Sequence, residues 1–137
     1  MRIPGRKPLF LLMAAALIVT LLAFFVLWAK NLLEPFRSFT VTVANESEHA
    51  IISVETGIRS GGTGNSKHLY EDKIEAGSNV TIKPKLRSNG EGVIYQKFVF
   101  ADGNSKETIA CGYTEYVSGH STVTIRNDRI EVEQDCM

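Results

Sequence analysis

Every residue pattern that would carry chemistry is missing from this sequence. No Gly-x-Ser-x-Gly or Ser-x-x-Lys arrangement is there to activate a serine. The three histidines, His49, His68 and His120, fall in or beside different turns and edges, none at the short spacing that puts two metal ligands on one face. The glycine-rich stretch from Gly61 to Lys67 lacks the Gly-Lys-Ser/Thr order and the strand-then-helix setting of a phosphate loop. Glu71, Asp72 and Glu75 bring carboxylates together, but as charged decoration that discourages edge-to-edge pairing of a strand. Internal repeats and low-complexity tracts are also absent. The expectation is a protein that is not an enzyme and holds no metal or cofactor.

Against these absences stands one long apolar run, Leu9 to Ala29, without a charged side chain. At about 1.5 Å per residue it reaches about 31 Å, the thickness of a bilayer's hydrocarbon core. Arg2, Arg6 and Lys7 precede it with no acidic residue, whereas Lys30, Glu34 and Arg37 mix signs beyond it. The positive-inside rule then leaves residues 1–8 in the cytoplasm and everything after the span outside. A cleaved signal has a shorter apolar core ending in small residues, whereas this run closes on Phe24, Phe25, Val26, Leu27 and Trp28, so a retained signal anchor is expected, with the chain starting at or near Met1. No cysteine lies near its end to accept a lipid. It holds no glycine, so a Gly-x-x-x-Gly dimer face is excluded, and no ionisable group, so a proton relay is excluded. Residues 30–38 form a short linker in which Pro35 stops the helix from passing Glu34. The expected location is a cell inner membrane, single-pass, with the C-terminal domain in the periplasm or its equivalent.

From Phe39 to Met137 the period changes to two, and turn residues recur every ten or so positions. Ala50, Ile52, Val54, Thr56 and Ile58 are expected inward, opposite Ser53, Glu55 and Arg59. His68 to Ile74 reads as a charged edge strand. Val80, Ile82, Pro84 and Leu86 alternate with Thr81, Lys83, Lys85 and Arg87, and Pro84 puts that strand at an edge or a bulge. Val93 to Ala101 is apolar on both parities, as in a central strand covered on two faces. Asp102-Gly103 and Asn127-Asp128 are hairpin turns. The fold class is all-β: an immunoglobulin-like antiparallel sandwich of seven or eight strands, with a small barrel as the alternative.

From Asn31 on, past Arg2, Arg6, Lys7 and Lys30, the chain holds 11 Lys+Arg against all 15 Asp+Glu. An acidic domain is a poor nucleic-acid binder. Cys111 and Cys136 are the two cysteines; Cys111 shares parity with Ile109 and Tyr113, and Cys136 with Ile130 and Val132. Free buried thiols fit the same pattern, but an oxidising compartment favours a disulfide. Lys83, Lys85 and Arg87 form a basic ladder about 13 Å long, with Asp128, Glu131, Glu133 and Asp135 an acidic counterpart. Solvated faces and a docking surface for protein or anionic headgroups both fit such ladders. The candidate partner-binding residues are Lys83, Lys85 and Arg87 with Gly62, Thr63, Asn65 and Asn89 from the loops Ser60 to Ser66 and Ser88 to Gly92. Asn45-Glu46-Ser47 and Asn79-Val80-Thr81 match the N-glycosylation pattern.

The layout, a basic N-terminus, one anchor and a compact β domain with a cysteine pair, resembles several unrelated groups of small bacterial envelope proteins. Among them are membrane-anchored immunity proteins against toxins delivered to the periplasm and small accessory subunits of envelope transporters. The likeness is one of layout, so it carries no functional residue onto this chain. Two expectations follow: a module that binds one extracytoplasmic protein, or an accessory subunit whose helix packs against partner helices.

Overall fold

The structure, a computed structural model, describes residues 6–33, 38–61, 65–88 and 90–137. It divides into two units, Met1–Glu34 and Pro35–Met137. In the first, helix α1 runs from Arg6 to Leu33 and contains a 25-residue stretch, Leu9–Leu33, long and apolar enough to cross a membrane. Lys30 to Leu33, expected in the linker, are helical; nothing in Lys-Asn-Leu-Leu breaks a helix before Pro35. Thr20, the strongest hydrogen-bonding side chain of the run, turns its hydroxyl back onto the carbonyls of Ala16 and Leu17.

The second unit holds eight strands: β1 (Thr40–Asn45), β2 (Ile51–Ser60), β3 (Lys67–Tyr70), β4 (Asn79–Ile82), β5 (Gly92–Phe100), β6 (Ser105–Thr114), β7 (Gly119–Ile125) and β8 (Ile130–Cys136). They form two four-stranded sheets, ordered β4-β1-β7-β8 and β3-β2-β5-β6. This is the expected all-β sandwich in two separate sheets. Hairpins β2–β3, β5–β6 and β7–β8 each stay within one sheet, and the remaining connections cross between sheets. One ladder departs from the antiparallel expectation: β1 runs parallel to β7, from Thr40 opposite His120 to Asn45 opposite Ile125. Parallel neighbours need a long crossover, and the five strands between them supply it.

Period two aligns most inward residues. Val41 and Val43 of β1, Val123 and Ile125 of β7, and Ile94 and Phe98 of β5 are fully buried between the sheets. Three register shifts overturn the expected parity elsewhere, one in the β2–β5 ladder and two in β5–β6, where the step from Gly92 opposite Thr114 to Ile94 opposite Cys111 also holds an extra residue. In the β2–β5 ladder Ile51 faces Phe100 and Ser53 faces Val99, so Ile52 is the extra residue; it is 44% exposed while Ile51 takes the core position. In the β5–β6 ladder Ile94 faces Cys111 but Tyr95 faces Ile109, which makes Ala110 the extra residue. Ala110 and Cys111 are both buried, and Ile109 and Tyr113, expected inward, are 41% and 51% exposed. Cys111 is therefore interior because of the bulge, not because it shares parity with Ile109 and Tyr113.

β5 is central, but only one of its faces is sealed. Its outer side chains Val93, Tyr95 and Val99 are half-buried and Lys97 is exposed. The Tyr95 ring lies across Gly57 of β2, where any Cβ would run into it, and the Arg59 guanidinium stacks 4.1 Å from its centroid.

Candidate functional site

Strand β4 is an edge strand, and its ladder with β1 ends at Val41 opposite Ile82, so Pro84, expected within the strand, lies beyond it. The alternation continues beyond it: Ile82 and Pro84 are buried and Leu86 half-buried, while Lys83, Lys85 and Arg87 are exposed. This extension walls a cleft of about 1050 Å³ with the domain's first described residues, Ser38 and Phe39, and with Glu115, Tyr116 and Val117 from the β6–β7 turn. Phe39, 1% exposed, anchors it to the core.

The opposite wall is held in an unusual conformation. Val117 has φ +52°, a region β-branched residues avoid at a cost of about 1–3 kcal/mol. Its N–H donates to Thr114 Oγ1 at 3.0 Å, its carbonyl accepts the Phe39 N–H at 3.0 Å, and Thr114 Oγ1 in turn donates to the Met137 carbonyl. Glu115, the carboxylate in this wall, accepts the Tyr113 hydroxyl at 2.6 Å, and that bond pushes the Tyr113 phenol above its ordinary range.

The three cations differ from the rest of the domain. Arg59 pairs with Glu107 at 2.7 Å, Lys67 with Glu55 at 3.4 Å, Lys73 with Glu75 at 2.8 Å, Arg126 with Glu46 at 3.1 Å and Arg129 with Glu131 at 2.6 Å. Lys97 sits in its ladder between Glu55 and Glu107, and Lys106 donates to the carbonyls of Arg126 and Asn127. Among the described residues Lys83, Lys85 and Arg87 have no acidic partner within the protein. The expected acidic ladder lies at the other edge of the same sheet, on β8, with Glu131 held by Arg129 and Arg126.

Of the loop candidates, Gly62, Thr63 and Asn89 lie outside the described residues, and Asn65 is exposed. The loop containing Asn65 and the basic ladder do adjoin: Ser66 Oγ accepts the Arg87 N–H at 3.1 Å, and its carbonyl accepts the Ile58 N–H at 2.9 Å. Cys111 and Cys136 are paired across the sandwich from β6 to β8, with Cα atoms 6.2 Å apart, inside the range a disulfide spans.

At the far end of the sandwich Ser47, His49 and Asp102 share a smaller cleft of about 280 Å³. Their types suggest a nucleophile, a base and an orienting acid, but the geometry does not. The Ser47 hydroxyl is hydrogen-bonded to Asn45 Oδ1 at 2.6 Å and to the His49 carbonyl at 3.0 Å, not to the imidazole, and His49 Nε2 stands 3.7 Å from Asp102. Asn45 is itself fully buried, its amide donating to the carbonyls of His49 and Ile74. As folded, its nitrogen is closed to glycosylation, whereas Asn79 is exposed.

Sequence reasoning missed Phe39 and the Glu115–Val117 wall. Phe39 read only as a strand residue, and the single surface signal in the turn was Tyr116, a large aromatic that is 67% exposed.

No protein-family model and no curated protein sequence matches the chain. A solved structure, the NMR structure of a protein from Eubacterium rectale, is similar to it over 74% of this chain and 91% of the other, at 7% identity and a TM-score of 0.47. A likeness at that level carries no argument about function.

Proposed function

We propose that this chain is a single-pass, membrane-anchored protein-binding module whose β domain stands outside the cytoplasm, in a bacterial cell in the periplasm. It works by covering a surface of one protein partner without catalysis. Its sharpest form is an immunity protein that neutralises a toxin acting there. The observation that carries the reading is the contrast among the cations: the other cationic side chains of the described β domain have an ion-pair, ladder or carbonyl partner within the fold, and Lys83, Lys85 and Arg87, beside the cleft of about 1050 Å³, have no acidic partner among the described residues. Three uncompensated like charges at alternate positions of one segment repel one another, and an acidic partner relieves that repulsion. The α1 span, its basic cytoplasmic flank and the cysteine pair support the placement.

Two measurements test it. A reporter enzyme active only outside the cytoplasm, fused after Met137, is expected to be active; an inactive fusion with an intact chain overturns the topology. A photo-crosslinking residue at Lys85 in the full-length membrane protein is expected to trap one envelope protein, and the Lys83→Glu/Arg87→Glu variant to lose it. Trapping of lipid alone overturns protein binding. If replacing Leu9–Ala29 by an unrelated apolar helix abolishes function while the crosslink persists, the accessory-subunit reading takes its place.

A further inference from the structure

Lys83 to Leu86 keep the two-residue alternation of a strand although the β4–β1 ladder has ended at Ile82. Among the described residues their backbone groups have no hydrogen-bond partner within the protein; the next N–H, that of Arg87, is taken by Ser66 Oγ. An extended segment with open backbone and a fixed far end is already in the shape that strand addition requires, so ordering it adds little cost on binding. Its exposed side chains stand at alternate positions, about 6.6 Å apart, which is also the spacing of alternate side chains in any extended polypeptide.

We propose that the partner element received here is an extended acidic segment, with Asp or Glu at alternate positions, lying along Lys83–Ser88 and covering Leu86. This rests on the protein-binding reading above and adds the class of the ligand. The cleft favours it over a headgroup, because the free carbonyls of the Lys83–Leu86 segment are acceptors, which a peptide's N–H groups satisfy and an acceptor-only phosphate does not, and because Pro84 and Leu86 add an apolar wall. A second copy of this chain is disfavoured as the donor. Its β8 has the right alternation in Glu131, Glu133 and Asp135, but Glu131 is bridged to Arg126 and Arg129, and β8 is fixed between β7 and its link to β6.

The test uses the full-length chain in zwitterionic nanodiscs and three probes. One is a decapeptide alternating Glu with Thr, the second an isomer of the same composition with its Glu residues contiguous, and the third vesicles containing phosphatidylglycerol. The alternating peptide is expected to bind about tenfold tighter than its isomer, and K83Q/K85Q to lose about that factor. Slowed amide exchange in the complex at one of Lys85 and Leu86, whose N–H groups point to opposite edges of an extended segment, is the signature of strand addition. Equal affinities for the two peptides, or binding to the anionic vesicles only, overturn the inference. If the envelope-protein crosslink at Lys85 persists while the peptides show no preference, the strand-wise inference fails and the protein-binding reading stands. If crosslink and peptide binding are both absent, both fail.

Discussion

On one side of the sandwich β6 and β8 are joined by Cys111–Cys136, the Gly112 N–H donates to Gln134 Oε1 at 2.7 Å, and the Met137 carbonyl accepts the Glu115 N–H at 3.2 Å. On the other side β3 and β4 are short edge strands with no ladder between them, and the chain beyond β4 runs on as an unpaired basic segment. The closed side carries β8, an edge strand of its sheet, and there the sequence places a covalent bond. The open side bears uncompensated charge, one of the devices by which edge strands avoid pairing with their own kind. The same charge leaves that side available to an acidic stranger. On the proposed function, stability is concentrated on the first side and recognition on the second, so changes at the two should be separable.

The largest effect belongs to the closed side. A disulfide closing 25 residues stabilises by about 3.5 kcal/mol in the chain-entropy model. Cys111→Ser/Cys136→Ser is therefore expected to lower the melting temperature of the oxidised protein by roughly 15–25 °C. It also opens β8 to proteolysis before any other strand. Two thiols that react with a maleimide in the denatured, unreduced protein show that the bond does not form and break the comparison at its root.

Next comes Asn45, away from both sides. Its Oδ1 accepts the Ser47 N–H and hydroxyl, and its amide ties the His49 and Ile74 carbonyls together. Asn45→Ala leaves those buried groups without partners and is expected to cost about 2–4 kcal/mol by urea denaturation. A loss below about 0.5 kcal/mol, the range of ordinary surface substitutions, means that the turn is held by something else.

A smaller effect is pH-dependent and sits on the outer face of the β3-β2-β5-β6 sheet. The Tyr95 hydroxyl donates to Glu55 at 2.8 Å, and this bond, with Lys67 nearby, holds the Glu55 carboxyl below its ordinary 4.5. Because the folded value is the lower one, its contribution is fully present above pH 4.5 and is lost as pH falls through the depressed value. Tyr95 is shifted the opposite way, upward from 10.0 by burial and then by Glu55, so its contribution is present below pH 10 and is lost as pH rises through the raised value. Glu55→Gln is expected to flatten the acid limb of the stability profile. An acid limb identical to that of the parent protein means that other carboxylates set it.

How far all this could be read in advance depended on where period two holds. The Val80–Arg87 alternation, the edge position of β4 and the central position of Val93–Ala101 were legible because each rests on a run longer than any local irregularity. The outward positions of Ile52, Ile109 and Tyr113 were not, because a bulge shifts parity by one residue without leaving a mark in composition. The candidate site divides in the same way. Its basic ladder is a pattern within one short run of sequence, but the Phe39 and Val117 walls are brought to it by the β1–β7 parallel pairing and the β6–β7 turn, contacts between positions far apart in sequence. The burial of Asn45 was hidden for a related reason: Asn-Glu-Ser reads as an exposed turn until the carbonyl of Ile74 is known to lie beneath it.

The smallest expected effect on stability is the most informative about the open side. Lys83, Lys85 and Arg87 are exposed and free of intramolecular ion pairs among the described residues, so reversing all three to Glu removes no bond the fold relies on. Nor does it alter the buried parity of Ile82 and Pro84. The melting temperature should stay within the shift that about 0.5 kcal/mol produces. The like-charge repulsion the cations exert on one another is replaced by repulsion of the other sign, which leaves the net change near zero. Partner crosslinking, in contrast, should fall to background, and in the parent protein it should weaken steeply as salt rises, since the contact is one of exposed charges. If the triple variant unfolds, the cations have a structural role and the separation of the two sides is wrong. If it folds and still captures the partner, the interface lies elsewhere, and the Asn65 loop adjoining Arg87 is the next surface to probe.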